Sequence, residues 1–181
     1  MIYVFLAPGF EEVEALAPID FLKRAGVETI IVGVGSDVIC GAHNIKVCAD
    51  ILLEDVTLSD DLQGIILPGG MPGAENLNNS QGVQEAIDYC IDNKKIVGAI
   101  CAAPFILGRK GILKGKNATC FPGFESELTG ANLLQSGVVT DGKIVTARGA
   151  GVAWEFGAAI CSLLTGEEKS AEILKGIQWK K

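Results

Sequence analysis

Short apolar runs recur along the chain and constrain its fold more than any other feature of the sequence. Residues 2–6, 64–67 and 96–100 are such runs, and residues 27–34 form another strand-like segment. A strand that is buried on both faces of a parallel sheet has this pattern. Segments with helical spacing lie between the runs, most clearly over residues 83–91. The alternation predicts an α/β fold with a mostly parallel sheet, right-handed crossovers and helices on both faces.

Length and charge narrow the class of protein. The chain has 181 residues without an internal repeat or a low-complexity linker, which predicts a single domain over residues 1–181. Its net charge of -7 disfavours binding to nucleic acid or anionic membranes, because a surface that follows phosphates must be basic. No apolar run reaches the ~18 to 20 residues of a membrane span, and the first run lacks a signal peptide's basic flank. We therefore expect a cytoplasmic protein.

The cysteines and acidic residues limit the cofactors that the chain could bind. Its six cysteines contain no CxxC pair, so a zinc site or a dithiol redox motif lacks its spacing. Glu11, Glu12 and Glu14 have no His or Asp partner at metal-ligand spacing, and Gly33-x-Gly35 has no third glycine. We expect neither a metal nor a cofactor.

Cys101 directly follows the apolar run at 96–100 and precedes small residues and a helix-compatible sequence. A strand, a sharp turn and a helix start are typical of a nucleophile that is held clear of a sheet. The free N–H groups of the helix start favour a thiolate and predict a reactive cysteine. The alternative is a buried core cysteine.

Glu14 is a carboxylate on an otherwise apolar helix face within the predicted helix 10–25. A carboxyl group among apolar residues has a raised pKa, so Glu14 could donate a hydrogen bond to a thiolate and then move protons. The alternative is an ion pair with a nearby lysine or arginine. The apolar members of the face are Phe10, Val13, Ala17 and Phe21.

Gly69 and Gly70 follow the apolar run at 64–67 and could present backbone N–H groups to a developing oxyanion, beside the N–H of Ala102. A plain tight turn is an equally good interpretation. In parallel sheets, ligands bind beyond the carboxyl ends of the strands. Because Glu14, this glycine pair and Cys101 all come just after strands, we expect them to converge there.

Two further charged or titratable residues are candidates for substrate contact. Arg148 precedes a Gly-Ala-Gly helix entry and could bind a substrate carboxylate or another anion, or form a structural ion pair. His43 is the sole histidine, so a cysteine–histidine dyad within one chain would have to use it. It lies in a predicted hairpin over residues 38–48 at the sheet edge, where a solvated turn histidine is the alternative.

The remaining segments predict local elements. Residues 138–146 form a hairpin with Asp-Gly at its turn. Ser80 could cap the helix that follows it, and Thr165-x-x-Glu168 is a capping box. Residues 118–121 are interpreted as a strand and residues 125–134 as a short helix.

Four motifs carry a resemblance to a known family. They are Phe10-Glu11-Glu12-Val13-Glu14, Leu67-Pro68-Gly69-Gly70, Ala99-Ile100-Cys101-Ala102-Ala103-Pro104 and Thr146-Ala147-Arg148-Gly149-x-Gly151. Taken together they resemble the ThiJ/PfpI superfamily, and within it the branch of the parkinsonism-associated protein deglycase. The resemblance implies a homodimer and a flavodoxin-like three-layer sandwich of the class I glutamine amidotransferase type.

The resemblance also implies roles for individual residues. Cys101 would be the reactive, oxidisable cysteine, with Glu14 as its protonated partner and Gly69, Gly70 and Ala102 around it. Protease-like members carry a histidine where Ala102 stands, which disfavours a peptidase.

Two other positions differ from close relatives. Some of these place a histidine near the active site where Phe121 stands, and a proline where Ala150 stands. A contact between Phe121 and a substrate is therefore a separate hypothesis.

The leading functional hypothesis is a cofactor-independent cysteine enzyme of the glyoxalase or deglycase type. It would act on methylglyoxal, glyoxal or their early adducts on thiols and amines, with Cys101 as nucleophile and Glu14 as proton relay. An oxidative-stress sensor or redox-regulated chaperone, acting through oxidation of Cys101, is the alternative. An amidase or peptidase is a third possibility.

Overall fold

The computed structural model describes residues 1–180. Among these residues, no helix is both long and apolar enough to span a membrane. The strands are β1 (Ile2–Leu6), β2 (Thr29–Gly33), β3 (Val38–Cys40), β4 (Lys46–Cys48), β5 (Ile51–Leu52), β6 (Gly64–Leu67), β7 (Ile96–Ile100), β8 (Asn117–Ala118), β9 (Asn132–Leu133), β10 (Val138–Asp141) and β11 (Ile144–Ala147). The helices are α1 (Glu12–Arg24), α2 (Gly73–Asn78), α3 (Gln81–Asp92), α4 (Pro104–Arg109), α5 (Ala153–Thr165) and α6 (Glu167–Gly176).

A seven-stranded sheet forms the centre of the fold, in the order β10-β11-β7-β6-β1-β2-β5. Neighbouring strands are parallel except for the antiparallel β10–β11 hairpin at one edge, which turns after Asp141 as predicted. The predicted α/β fold with a mostly parallel sheet is confirmed.

The sheet separates two apolar cores. Tyr3 and Phe5 of β1 point to one core, together with Phe105 of α4 and the apolar residues of α3. The intervening β1 residues point to the other core, where Phe21 of α1 and Phe156 of α5 pack. Alternation along a strand that is buried on both faces produces this arrangement, so the predicted helices on both faces are confirmed.

The predicted hairpin over residues 38–48 is confirmed, but its place at the sheet edge is wrong. β3 and β4 form a separate two-stranded antiparallel sheet, and β5 pairs with β2 at the edge instead. The hairpin is attached to the β1–α1 loop, because Gly9 N–H donates to Cys40 O over 2.8 Å and Ala42 N–H donates to Phe10 O over 2.8 Å.

The predicted helix over residues 125–134 is wrong. A single 3-10 turn spans Glu125–Glu127, and β9 then pairs in parallel with β8. Gly130 has a φ of +77°, which an α-helix cannot contain. The strand predicted over residues 118–121 is correspondingly short, since β8 ends at Ala118.

Neither predicted side-chain cap forms. Ser80 does precede α3, but its side chain makes no capping hydrogen bond. Thr165 belongs to α5, where its hydroxyl donates to the carbonyl of Cys161 over 3.0 Å. The capping box is therefore wrong, because Thr165 ends α5 and Gly166 is the residue that directly precedes α6.

The apolar face of α1 is narrower than predicted. Phe10, Ala17 and Phe21 are buried, but Val13 is 48% exposed. Val13 lies three residues after Phe10 and four before Ala17, so its spacing fits the same stripe. It belongs to the first turn of α1, however, and its side chain faces outward. The helix runs through Pro18 without interruption.

Candidate active site

Cys101 lies on a strained turn between β7 and α4. Its φ is +64°, which costs a residue with a side chain on the order of 1–3 kcal/mol. Its N–H donates to Ala147 O over 2.8 Å, and its carbonyl accepts from Phe121 N–H over 2.8 Å. These bonds fix the turn that the sequence predicts. Cys101 is half-buried, so it is not the fully buried core cysteine of the alternative interpretation.

Glu14 is buried beside Cys101, with 1% of its surface exposed. Its Oε2 accepts from Gly69 N–H over 3.0 Å. The Cys101 thiol and the Ala150 N–H lie near this carboxyl group and act to lower its pKa. No lysine or arginine within residues 1–180 forms an ion pair with Glu14, which excludes the predicted alternative there.

Gly69 allows these two side chains to approach each other. A Cβ built on Gly69 would lie 2.5 Å from Glu14 Oε2 and 2.6 Å from Cys101 Cβ. Any residue with a side chain would collide with both, so this glycine does more than form a turn. The N–H groups of Gly70 and Ala102 lie near the Cys101 sulfur and act to lower the pKa of its thiol. The expected convergence of Glu14, the glycine pair and Cys101 is therefore present.

Burial dominates the electrostatics of the pair. It raises the pKa of Glu14 to about 7, against the lowering effects of Cys101 and the N–H groups of Gly69 and Ala150. Burial and the ionised Glu14 raise the pKa of the Cys101 thiol to about 12, while the N–H groups of Gly70 and Ala102 lower it. The N–H groups therefore act in the direction predicted from the sequence, but burial and Glu14 outweigh their effect on the thiol pKa. At neutral pH the pair holds a thiol beside a carboxyl group near its midpoint.

An open groove of about 380 Å³ borders the pair. Phe121, Arg148 and Gly149 line it, and a Cβ built on Gly149 would lie 3.9 Å from Glu14 Oε1. Arg148 is exposed and forms no ion pair among residues 1–180. The structure thus brings Phe121 and Arg148 to the site. The sequence predicts a helix entry at the Gly-Ala-Gly segment, but it does not indicate that the Ala150 N–H lies near Glu14.

His43 is not brought to Cys101. Its ring is exposed, and Nδ1 lies 2.7 Å from Oε2 of Glu12, whose side chain is buried. Oε1 of Glu12 accepts from the N–H groups of His43 over 2.7 Å and Ile45 over 3.4 Å. This carboxylate therefore ties the hairpin turn to the first turn of α1, a role that adjacent glutamates in the sequence did not reveal.

Glu11, Glu12 and His43 bring ligand atoms within 4.8 Å of one another. They could hold a metal ion in geometric terms. However, Glu12 already accepts the bonds from the hairpin turn, and Glu11 Oε2 accepts from Glu14 N–H over 2.7 Å. Metal binding would have to displace bonds that fix the start of α1.

The Glu12–His43 pair should make stability depend on pH. The contact with Glu12 raises the pKa of His43 above 6.5. Although burial opposes it, the bonds from His43 and Ile45 lower the pKa of Glu12 below 4.5. The pair therefore contributes its full stabilisation of the fold between about pH 4.5 and pH 6.5. This stabilisation is lost in acid, and it is lost again as pH rises through the raised pKa of His43.

We expect wild-type protein to lose more stability between pH 6 and pH 9 than His43→Gln does, measured by urea unfolding. The difference should be small because His43 is exposed. Equal losses in the two proteins would contradict the pairing.

Comparison with known protein families shows which family this chain belongs to. Residues 1–163 match the DJ-1/PfpI family. The chain belongs to the DJ-1/PfpI family. The resemblance inferred from the four motifs is thereby confirmed.

Its similarity to the Drosophila melanogaster protein dj-1beta extends over both chains. The two are 33% identical over 177 residues, which are 96% of this chain and 94% of the fly protein. The crystal structure of Drosophila DJ-1beta superposes with a TM-score of 0.93 at 32% identity, covering 99% of this chain and 98% of that chain.

Two other relatives differ from the fly protein, one because it is much longer than this chain and the other because it carries an enzyme name. Arabidopsis thaliana DJ-1 homolog B is 40% identical over 172 residues, 93% of this chain, but the match spans only 39% of the plant protein. A Caenorhabditis elegans relative, 30% identical over 91% of this chain and 88% of its own length, is named glutathione-independent glyoxalase DJR-1.2.

Proposed function

We propose that this protein is a cofactor-independent enzyme of the glyoxalase or deglycase type. Its substrates would be methylglyoxal, glyoxal or their early adducts on thiols and amines. The observation that carries the proposal is the buried carboxyl group of Glu14 within reach of the Cys101 thiol. The name of the nematode relative supports the same reaction class.

The first step uses Glu14 as a general base. Its carboxylate takes the thiol proton of Cys101 as the sulfur attacks the aldehyde carbon, forming a carbon–sulfur bond. The aldehyde oxygen gains negative charge, which the N–H groups of Gly70 and Ala102 beside the sulfur would stabilise. Glu14 returns the thiol proton to this oxygen, which gives a hemithioacetal and restores the carboxylate.

The second step is an internal redox rearrangement. Glu14 takes the proton from the former aldehyde carbon and returns it to the neighbouring carbonyl carbon, while the hydroxyl proton of the first carbon passes to the oxygen of the second. The first carbon is oxidised to a thioester and the second is reduced to an alcohol, so no external oxidant is consumed. Water then cleaves the thioester, which releases lactate from methylglyoxal and restores the thiol.

The direct test is methylglyoxal consumption by pure, metal-free protein without glutathione. We expect NMR to show lactate formation by wild-type protein, and Cys101→Ala to fall to background, roughly a 10³-fold loss or more. Cys90→Ala, which removes a buried cysteine of α3, is the matched control and should retain turnover. Undiminished turnover by Cys101→Ala would end the proposal.

A further inference from the structure

The groove beside Glu14 suggests which dicarbonyl the proposed enzyme prefers, and this inference rests on the proposed function. The groove lies next to the reacting pair, because Gly149 in its wall approaches the carboxyl group of Glu14. Phe121, which also lines the groove, is hydrogen-bonded to Cys101 through its N–H. A substrate whose aldehyde carbon reaches Cys101 would therefore extend its other end into the groove.

The side chains of the groove are mainly apolar. Phe121, Pro122 and Val152 line it, and Arg148 is its one charged side chain. No acidic side chain lines it to receive a cation. An amine adduct that carries a positive charge would thus meet apolar surface and a guanidinium, whereas an uncharged apolar group would bury surface there.

Phe121 is the largest apolar side chain that lines the groove. Its backbone is fixed, since its N–H donates to Cys101 O over 2.8 Å and its carbonyl accepts from Phe124 N–H over 3.1 Å. Its side chain is nevertheless 46% exposed. The ring is therefore anchored next to the nucleophile and has an open face on which a planar apolar group can pack.

The size of the groove exceeds what a three-carbon dicarbonyl fills. Methylglyoxal has five non-hydrogen atoms, which occupy roughly 150 Å³ if each takes the ~30 Å³ of a water molecule. The groove measures about 380 Å³. Space and apolar lining remain for a substituent on the ketone carbon.

We propose that Phe121 is a specificity-determining residue and that the preferred substrates are α-oxoaldehydes with an apolar aryl or branched alkyl substituent. The aldehyde carbon of such a substrate would react with Cys101. Its substituent would lie against the ring of Phe121 in the groove.

The test compares kcat/KM for phenylglyoxal and methylglyoxal, measured as initial rates of mandelate and lactate formation. The quantity of interest is the ratio of the two values in each protein, because intrinsic aldehyde reactivity cancels when ratios are compared between variants. We expect Phe121→Ala to lower this ratio about tenfold. Phe121→Leu keeps apolar bulk and should lower it less.

Leu133→Ala is the matched control, since Leu133 is 44% exposed but does not line the groove. Its ratio should equal that of wild type. An unchanged ratio in Phe121→Ala, with both substrates still consumed, would overturn the inference and leave the proposed function standing. If wild-type protein consumes neither aldehyde, the proposed function itself is wrong and this inference falls with it.

Discussion

Glu14→Gln should lower kcat for methylglyoxal by about 10²–10⁴-fold, the usual contribution of a positioned general acid–base. Glutamine preserves the size of the side chain, and its oxygen can still accept from Gly69 N–H. It cannot take the proton of the Cys101 thiol or move protons between the substrate carbons. Substrate binding should survive, so KM should change far less than kcat.

Glu12→Gln is the matched control for this variant. Glu12 is also a buried carboxylate in the first turn of α1, but its bonds go to the hairpin turn rather than to Cys101. We expect it to cost on the order of 1–3 kcal/mol of stability while kcat of the folded enzyme stays within about threefold. A Glu14→Gln enzyme that also keeps kcat within threefold would contradict the proton-relay role.

The same Glu14 variant should respond to pH in a defined direction. Because burial raises the pKa of Glu14 from 4.5 to about 7, the folded state holds a proton that the unfolded chain releases. Stability should therefore fall as pH rises between these values. Glu14→Gln should abolish this part of the pH dependence in urea unfolding, which separates an effect on folding from an effect on chemistry.

Gly69→Ala should disrupt the site more broadly. The added Cβ would meet Glu14 Oε2 and Cys101 Cβ at 2.5 and 2.6 Å, and Ile100 O at 2.9 Å. Relief of this overlap must move the carboxyl group, the nucleophile or the loop, and a displacement of about 1 Å can cost on the order of 10²-fold in rate. We expect a loss of kcat/KM of at least that size and a stability cost of roughly 1–3 kcal/mol.

Gly176→Ala provides the control for the Gly69 variant. Within residues 1–180, a Cβ built on Gly176 meets no other atom within 4 Å, and this residue is the last of α6. Its activity should match that of wild type. If Gly69→Ala retained full activity, the close approach of Glu14 and Cys101 would not matter for turnover.

The main layout of the fold could be predicted because burial leaves a direct trace in the sequence. Strands that are covered on both faces must be apolar at every position, as in β1, β6 and β7. Once these strands were assigned, the rule that parallel strands present ligands at their carboxyl ends brought Glu14 and Cys101 together. The homodimer implied by the family resemblance stays a prediction.

Other features depended on contacts that sequence spacing does not encode. Residues 125–134 contain acceptable helix formers, but the turn at Gly130 and the pairing of β9 with β8 decide their structure. The Thr165 capping box failed because Thr165 ends α5 and Gly166 takes the position before α6. The high pKa of Cys101 was missed because burial and a neighbouring carboxylate outweigh the nearby N–H groups.

The pH dependence of kcat/KM tests the central claim most directly, namely that Cys101 and Glu14 react as one proton-sharing pair. For wild-type protein, kcat/KM for methylglyoxal should rise with pH through an inflection at about 7, where Glu14 loses its proton, and then reach a plateau. Glu14→Gln should lose that inflection, because an unassisted thiol must ionise by itself. An inflection near 7 that persists unchanged in Glu14→Gln would contradict the account.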